Sequence, residues 1–328
     1  MTEREIDVLV AGRVYSDLVF TGVNAPAPGE EVYADGFAIS PGGAANRAVA
    51  AARLGAHTAL VTELGDDPIG CIVARSLRNE PNLDLRFAVQ HRGYQIPISV
   101  AITDGHDRSF VTYEHAGHLP SWPDAIPVRV AHTGLGRGPV PVEAAHLRAR
   151  GTVLVGGVGW DPSGQWSEEL LDHTAGVDVL IVNEVEALQY TRARTVEAAL
   201  DVLADVVETA VITLGPDGAI AAQGAVRLRV PAIVVEAVDP TGAGDAFTAA
   251  FMVATAWEWD LGDRLRLASA CATCSVRGAG GARSAPRPAD IADLLADCCA
   301  DPDWTPVREW AERHRQSSVP ATPGALTS

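Results

Sequence analysis

A doubly wound α/β fold, with a mostly parallel central sheet and helices on both faces, is predicted by three features of this 328-residue sequence. Short apolar runs alternate with longer stretches of helical periodicity, and neither an internal repeat nor an interdomain linker interrupts them. Such alternation lays strands side by side in parallel and packs the crossover helices on the two faces. Polar or glycine-bearing turns follow the runs that end at Gly12, Val182, Leu214 and Val238. Ligands of open α/β sheets gather at these carboxyl ends of strands. A chain of about 300 residues buries roughly 75% of its unfolded surface, so its core needs no disulfide or metal.

The most informative stretch is Val238-Asp239-Pro240-Thr241-Gly242-Ala243-Gly244-Asp245-Ala246-Phe247. An apolar run over residues 230–238 leads in, and a run over 246–257 that reads as a buried helix leads out. Two glycines separated only by Ala243 let the backbone turn tightly and bring N–H groups close to a ligand. They also open a helix, whose first turn has unpaired donors and the positive end of the dipole. That combination suits an anion such as a phosphate. A carboxylate at Asp245 would compete with the anion as mere decoration. It makes sense as a general base that takes a proton from a hydroxyl, while the N–H groups of Gly242, Ala243 and Gly244 steady a transferring phosphoryl group. Taken alone, Gly-x-Gly-Asp reads equally well as a capped helix start. The full run Asp-x-Thr-Gly-Ala-Gly-Asp-Ala-Phe resembles the signature of the ribokinase-like (PfkB) carbohydrate kinases. The resemblance covers about residues 6–300. It implies a ribokinase-like fold with a small β lid, and ATP-dependent phosphorylation of a hydroxyl on a sugar or sugar-like molecule, with ATP and Mg²⁺ as cofactors.

Along the chain, residues 8–12 read as a short buried strand. Asp17 follows; in the family an aspartate here holds substrate hydroxyls, because an ionised carboxylate accepts from two vicinal O–H groups. By itself it reads also as a turn or cap residue. Where ribose kinases carry Asn, this chain has Tyr15. Residues 26–40, alternating at Val32, Tyr33 and Ala34, resemble the strand pair that projects as the lid. Ser40-Pro41-Gly42-Gly43-Ala44-Ala45-Asn46 resembles the family's Gly-Gly-x-x-x-Asn loop, with Pro41 in place of the first glycine. The resemblance assigns Gly42 and Gly43 to close backbone approach and Asn46 to a sugar hydroxyl. An apolar helix then runs to Leu54 and stops at Gly55. Residues 59–61 are a strand, and Asp66 and Asp67 are helix caps before a helix to about Arg78. Pieces at 86–89, 96–102 and 109–113, with a turn at Asp104-Gly105, read as antiparallel strands. They complete a lid over about residues 14–40 and 85–113.

Further strands are expected at 128–132, ending in Thr133-Gly134-Leu135-Gly136, at 152–156, followed by Trp160-Asp161-Pro162, and at 177–182. Asn183-Glu184-Val185-Glu186 resembles the family's Asn-x-x-Glu motif, whose pair orders the water shell of the phosphate-bound metal. Glu186 would then hold Mg²⁺ through water, which suits a hard ion that dehydrates reluctantly; seen alone, it is a helix-surface acid. A strand at 210–214 with Gly215-Pro216-Asp217-Gly218 matches the nucleotide-side loop, which assigns Asn183, Glu186, Thr213, Gly215, Gly218 and Thr241 to the nucleotide. After a helix over 261–276 comes a glycine-rich loop at 277–284. In relatives this loop and the aspartate at position 239 surround the adenine pocket and a monovalent cation, so Asp239, Gly278, Gly280 and Ser284 outline a K⁺ site. A single kinase domain over residues 1–315 is expected, with 316–328 a disordered tail.

Composition narrows the partners. A net charge of −17 argues against nucleic acid and against an anionic membrane surface. All 25 basic residues are arginine, which excludes a lysine-dependent P-loop and Schiff-base chemistry. Cys271 and Cys274 sit in a helical apolar pattern and read as core; with Cys71, Cys298 and Cys299 they form an odd, scattered set of thiols that fits a reducing cytoplasm. An anionic acceptor would need converging arginines, for which Arg13, Arg47, Arg92 and Arg137 are placed at the sheet edge or lid. Arg47 follows Asn46 on a helix and is expected to point about 100° away from the pocket. Arg92 is expected in a solvated lid turn. A neutral sugar or nucleoside is therefore the expected substrate. Nucleoside kinases share these signatures, and Tyr33 and Tyr94 are the lid aromatics that would stack on a base. A catalytically silent sugar- or nucleotide-binding regulator is the reading from another class, and Asp245 argues against it. The family resemblance also allows a homodimer through the β lid.

Overall fold

Hydrophobic alternation carries through into two sheets. The computed structural model describes residues 5–103, 108–115, 119–136, 139–159, 163–167, 169–298 and 301–317. Arg137, the Asp104-Gly105 turn, the Trp160-Asp161-Pro162 motif and the tail beyond residue 317 lie outside the described residues. The chain enters through β1 (Ile6–Ala11), crosses to a second sheet with β2 (Val14–Thr21) and β3 (Gly36–Gly43), and returns through α1 (Ala44–Arg53) to β4 (Thr58–Gly65). After α2 (Pro68–Arg78) come the short β5 (Leu83–Asp84) and β6 (Ala88–His91), then β7 (Ile98–Thr103) and β8 (Arg108–Tyr113) of the second sheet. The main sheet continues with β9 (Val128–Gly134), α3 (Val142–Ala149), β10 (Val153–Gly157), α4 (Glu169–Thr174), β11 (Val179–Asn183), α5 (Glu184–Thr191), α6 (Val196–Ala204) and β12 (Thr209–Thr213). The hairpin β13 (Ala219–Gln223) and β14 (Val226–Val230) closes one edge. Helices α7 (Ala243–Ala256), α8 (Leu261–Ser275), α9 (Gly281–Ser284), α10 (Pro288–Cys298) and α11 (Thr305–His314) follow.

The main sheet runs β14-β13-β12-β11-β10-β9-β1-β4-β5, with β6 also on β4. Every pair from β12 to β5 is parallel, and only the terminal hairpin is antiparallel. Successive residues alternate between two apolar layers, as the pleat demands. In β11, Val179 and Ile181 join the layer under α1, α2, α7, α8, α10 and α11, while Leu180 and Val182 join the layer under α3 to α6. Helix α7 is buried at every position from Ala246 to Ala256, because it is covered by α1, α8 and the sheet. A helix apolar all round has no solvent face to present. Cys271 and Cys274 are buried core on α8. At the start of α2, Asp67 accepts from the Ile69 and Gly70 N–H groups, both at 3.1 Å, as a cap.

The second sheet, order β3-β2-β7-β8, is the lid. Four local expectations change. The piece at 86–89 does not join the lid: β6 pairs parallel with β4, Thr62 opposite Ala88. The turn after α2 returns the chain to the open β4 edge, and alternation alone marks a strand without naming its partner. The lid is also not wholly antiparallel, since β2 and β7 run parallel, Asp17 opposite Ser99. Val32, Tyr33 and Ala34 lie outside any strand, with Tyr33 80% exposed; β3 starts at Gly36 and continues through the Ser40–Gly43 stretch that reads as a loop. Pro41 is tolerated there because β3 is an edge strand. Residues 231–238 form no strand, although their apolar run suggests one. Pro231 and Pro240 bracket them, and the Val238 and Asp239 N–H groups donate to Val276 O at the end of α8.

Candidate active site

The N-termini of α1 and α7 meet beside the carboxyl edge of the sheet, where β1 passes into the lid. Asp245 stands in the first turn of α7. Asn46 Nδ2 donates to its Oδ2 at 2.9 Å, and Arg47 Nη1 donates to its Oδ1. Arg47 is thus in the site, against the expectation that it points away. Consecutive helical residues do diverge by about 100°, but Asp245 lies between the two directions and the long arginine stem carries its guanidinium back.

Asp17 projects from β2 and is buried, 8% exposed. Burial, and then the Asp245 and Asp239 carboxylates, push its carboxyl up to about 7. A side chain at Gly42 would collide with that carboxylate, so only glycine lets β3 pass so close. Gly43 is the N-cap residue of α1 and lies against the Tyr15 ring. Tyr15, in the place where ribose kinases carry Asn, donates to Glu114 Oε2 at 2.5 Å, and Arg13 Nη1 reaches the same oxygen at 3.1 Å. Burial and Glu114 push the Tyr15 hydroxyl up to about 12. Arg13 is therefore neutralised at the lid base. Tyr94 packs edge-on against His115, with ring centroids 4.7 Å apart. His132, on β9, is fully enclosed with Nδ1 unpartnered; burial and then the Arg47 charge hold it well below the ordinary histidine range, so it is neutral. Neither Arg47 nor His132 was expected here. His132 lies inside an apolar strand pattern that carries no signal for a site.

On the other side of the α7 N-terminus lies a cavity of about 450 Å³. Thr213, Gly215 and Gly218 line it from the β12–β13 turn, Ala243, Gly244 and Phe247 from α7, and Ser269, Thr273 and Val276 from α8. The α8 residues recur at helical spacing, a signal visible in the sequence but not separable there from core packing. Gly242 has φ +80°, and a Cβ on it would stand 2.6 Å from Gly281 Cα, so the turn into α7 requires glycine. Of the three N–H groups expected to cradle an anion, that of Ala243 donates at 3.3 Å to Pro240 O. Thr241 Oγ1 is buried without a partner.

Asn183 and Glu186 form a reciprocal capping box at the start of α5. The Asn183 N–H donates to Glu186 Oε2 at 3.0 Å, and the Glu186 N–H to Asn183 Oδ1 at 2.9 Å. Glu186 is buried rather than a surface acid, and burial pushes it up to about 7 despite those bonds. Asp239 is fully buried and ties two loops together, accepting from the Thr241 and Gly280 N–H groups at 2.9 Å each. Ser284 Oγ donates to Gly281 O at 3.2 Å within α9, which follows the second of these loops, so the stretch read as loop over 277–284 is helix from Gly281. A buried carboxylate, an unpartnered Thr241 hydroxyl and loop carbonyls suit a monovalent cation in chemical type. Among the described residues no group of three or more His, Cys, Asp or Glu could hold a metal ion.

A pfkB family carbohydrate kinase model matches residues 6–288, most of the chain. The chain belongs to this family. It is 29% identical over 301 residues to the ribokinase of Bacillus subtilis, covering 88% of this chain and 99% of that protein. To fructokinase-1 of Zea mays it is 28% identical, covering 80% and 90%. Among solved structures, it resembles Arabidopsis thaliana ribokinase complexed with ribose and ATP, with TM-score 0.71, 23% identity, and 89% and 99% of the two chains covered. Aminoimidazole riboside kinase from Salmonella enterica, complexed with aminoimidazole riboside and an ATP analogue, gives TM-score 0.72, 24% identity and coverage of 88% and 99%. Membership makes this pfkB protein a carbohydrate kinase, a phosphotransferase with an alcohol acceptor.

Proposed function

We propose that this chain transfers the γ-phosphoryl group of ATP to a hydroxyl of a sugar or sugar-like molecule, with Asp245 as the general base. One observation carries the reading: Gly244 lines the α8-side cavity while the next residue, Asp245, bonds to Asn46 on the lid side. A nucleotide in that cavity and an acceptor under the lid would therefore meet at the first turn of α7. The Gly242, Ala243 and Gly244 N–H groups and the helix dipole there favour the transferring anion. Asp17, Gly42, Gly43 and Asn46 form the acceptor side, and Asn183 and Glu186 organise Mg²⁺ and phosphates. Thr213, Gly215, Gly218 and Thr241 flank the nucleotide. K⁺ at Asp239, Gly278, Gly280 and Ser284 is part of the proposal. Mg²⁺ and ATP are supported by the fold's likeness, TM-score 0.75 at 19% identity, to a candidate ribokinase II of E. coli in complex with ATP and Mg²⁺.

The two lid tyrosines do not favour the nucleoside reading, since Tyr33 is 80% exposed and the ring of Tyr94 is engaged by His115. Among the described residues no helix is long and apolar enough to cross a membrane. The free thiols Cys71 and Cys298 on the surface support a cytoplasmic setting. The test is ATP consumption against a panel of free sugars, phosphosugars and nucleosides, with Asp245→Asn beside the parent. Turnover on the best acceptor is expected to fall by about 10²-fold or more while nucleotide affinity persists. Equal loss of affinity and rate would sink the base assignment.

A further inference from the structure

Both oxygens of Asp245 already accept a hydrogen bond. Oδ2 takes the Asn46 amide at 2.9 Å and Oδ1 takes the Arg47 guanidinium. We propose that Arg47 is a positioning residue that latches Asp245 while the acceptor site is empty, and so keeps the base from activating water. The proposal rests on Asp245 being the base.

Two arginines on the same helix show why this pair is a latch and not a strut. Arg53 is held from two sides: Nε and Nη2 bind the two oxygens of Glu80 at 3.0 and 2.6 Å, and Nη1 donates to Arg283 O and Ala285 O at 3.0 and 2.8 Å. Arg53 thereby ties α1 to the α9 segment with four of its five N–H donors. Arg47 is held by Asp245 and leaves its Nε buried with no partner. A buried unmade hydrogen bond is costly, so the latched arrangement is left incomplete in a way that a second position can repair. Its neighbour His132 is neutral and offers Nδ1, also unpartnered, rather than a competing charge.

An acceptor hydroxyl that docks on Asp17 and Asn46 must present its proton to Asp245, and in the proposed latch it does so by taking the place of the guanidinium at Oδ1. In the transfer itself the acceptor oxygen bonds to the γ-phosphorus and its proton passes to Asp245. The bond from phosphorus to the β–γ bridging oxygen breaks, and its electron pair leaves on ADP. The displaced guanidinium remains beside the charge on the transferring group, where its donors have a use. Water lacks the further hydroxyls through which a polyhydroxy acceptor is held on Asp17 and Asn46, and in the proposal it leaves the latch closed. If water did react, the same electron bookkeeping would give ADP, inorganic phosphate and a proton.

The test is sugar-free hydrolysis of Mg·ATP by the full chain, for the parent, Arg47→Met, Arg47→Gln, Arg47→Lys and the double variant Asp245→Asn/Arg47→Met, each checked for an unchanged thermal midpoint. In Arg47→Met the sugar-free rate is expected to rise at least about 10-fold, a fraction of what a positioned base contributes. Arg47→Lys restores the low rate, and the double variant loses the gain. Arg47→Gln carries the same expectation if Arg47→Met does not fold. A sugar-free rate at or below the parent's in the folded Met or Gln variant overturns the latch. A gain that survives Asp245→Asn also overturns it, by showing that Asp245 does not serve the water. The base assignment has its own readout, the loss of sugar phosphorylation in Asp245→Asn alone, so the two failures are distinguishable.

Discussion

Three carboxylates, Asp17, Asp239 and Asp245, converge on the α7 N-terminus, and Arg47 is the cation bound among them. Asp239 is satisfied by two backbone N–H groups, and Asp245 by Asn46 and Arg47. Asp17 is left as the group whose ionised form is disfavoured, by burial first and then by the Asp245 and Asp239 charges, so its carboxyl rises from 3.8 to about 7. Between these two values the native state holds a proton that the unfolded chain has released, so native stability falls as pH rises through this window and levels off above about 7. Asp17→Asn removes the penalty. Its thermal midpoint should match the parent's near pH 4 and exceed it at pH 8, by about 1–4 kcal/mol of stability, while acceptor KM rises. Denaturation curves from pH 4 to 8 check this, and a gap independent of pH would contradict it. Asp17 and Asn46 were singled out through the resemblance to the family, and Asp245 through its place in the glycine turn that opens α7. Arg47 was not, because a helical angle locates Cβ and leaves the end of a long side chain undetermined.

At the scale of elements, the α7 N-terminus is assembled from two loops that Asp239 pins together, one ending at Gly242 and the other passing through Gly280. The backbone donors offered to an anion are no more rigid than these loops. A monovalent cation among the loop carbonyls beside Asp239 would stiffen them without touching the acceptor. Rates at equal ionic strength are expected to be highest in K⁺, lower in Na⁺ and lowest in a large organic cation. Identical rates in all three salts would remove the cation from the account. The capping box of Asn183 and Glu186 has a similar character: motif spacing predicted that the pair belongs together, and the fold adds that each caps the other. That reciprocal bonding could be read from the Asn-x-x-Glu pattern as a helix start. The burial of Glu186 could not, since it depends on what packs around the turn.

The lid shows most at the scale of the whole molecule. Strand registers put Leu18, Phe20, Phe37, Ile39, Val100, Ile102, Val111 and Tyr113 on one face and Asp17 and Val19 on the other. The Asp17 face turns toward Asp245 and Asp239, with Val19 buried, while Phe37, Val111 and Tyr113 on the opposite face are 57%, 67% and 57% exposed. An apolar sheet face of this kind marks an interaction surface. A second copy of the chain, lid against lid, is the occupant in our reading. Val111→Glu should convert a dimer into a monomer at micromolar concentration in sedimentation velocity and weaken acceptor binding, because the lid carries Asp17. A parent that sediments as a monomer, or a variant that remains dimeric, would rule this assembly out.

By itself the sequence determined the alternation of strands and helices, the burial of α7 and the cap at Asp67, while its resemblance to the family grouped Asp17, Asn46, Asp245 and the glycine turn. The alternation, the burial and the cap follow from local rules: apolar period reports how much of an element is covered, and turn chemistry is carried by a few adjacent residues. Tertiary structure alone decided which sheet receives the piece at 86–89, that β2 and β7 run parallel, and that residues 231–238 leave the sheet to wall a cavity. It also brought Arg47 onto Asp245 and enclosed His132 beside it. In each case the deciding partner is distant in the chain, and a local pattern that specifies coverage does not specify what does the covering.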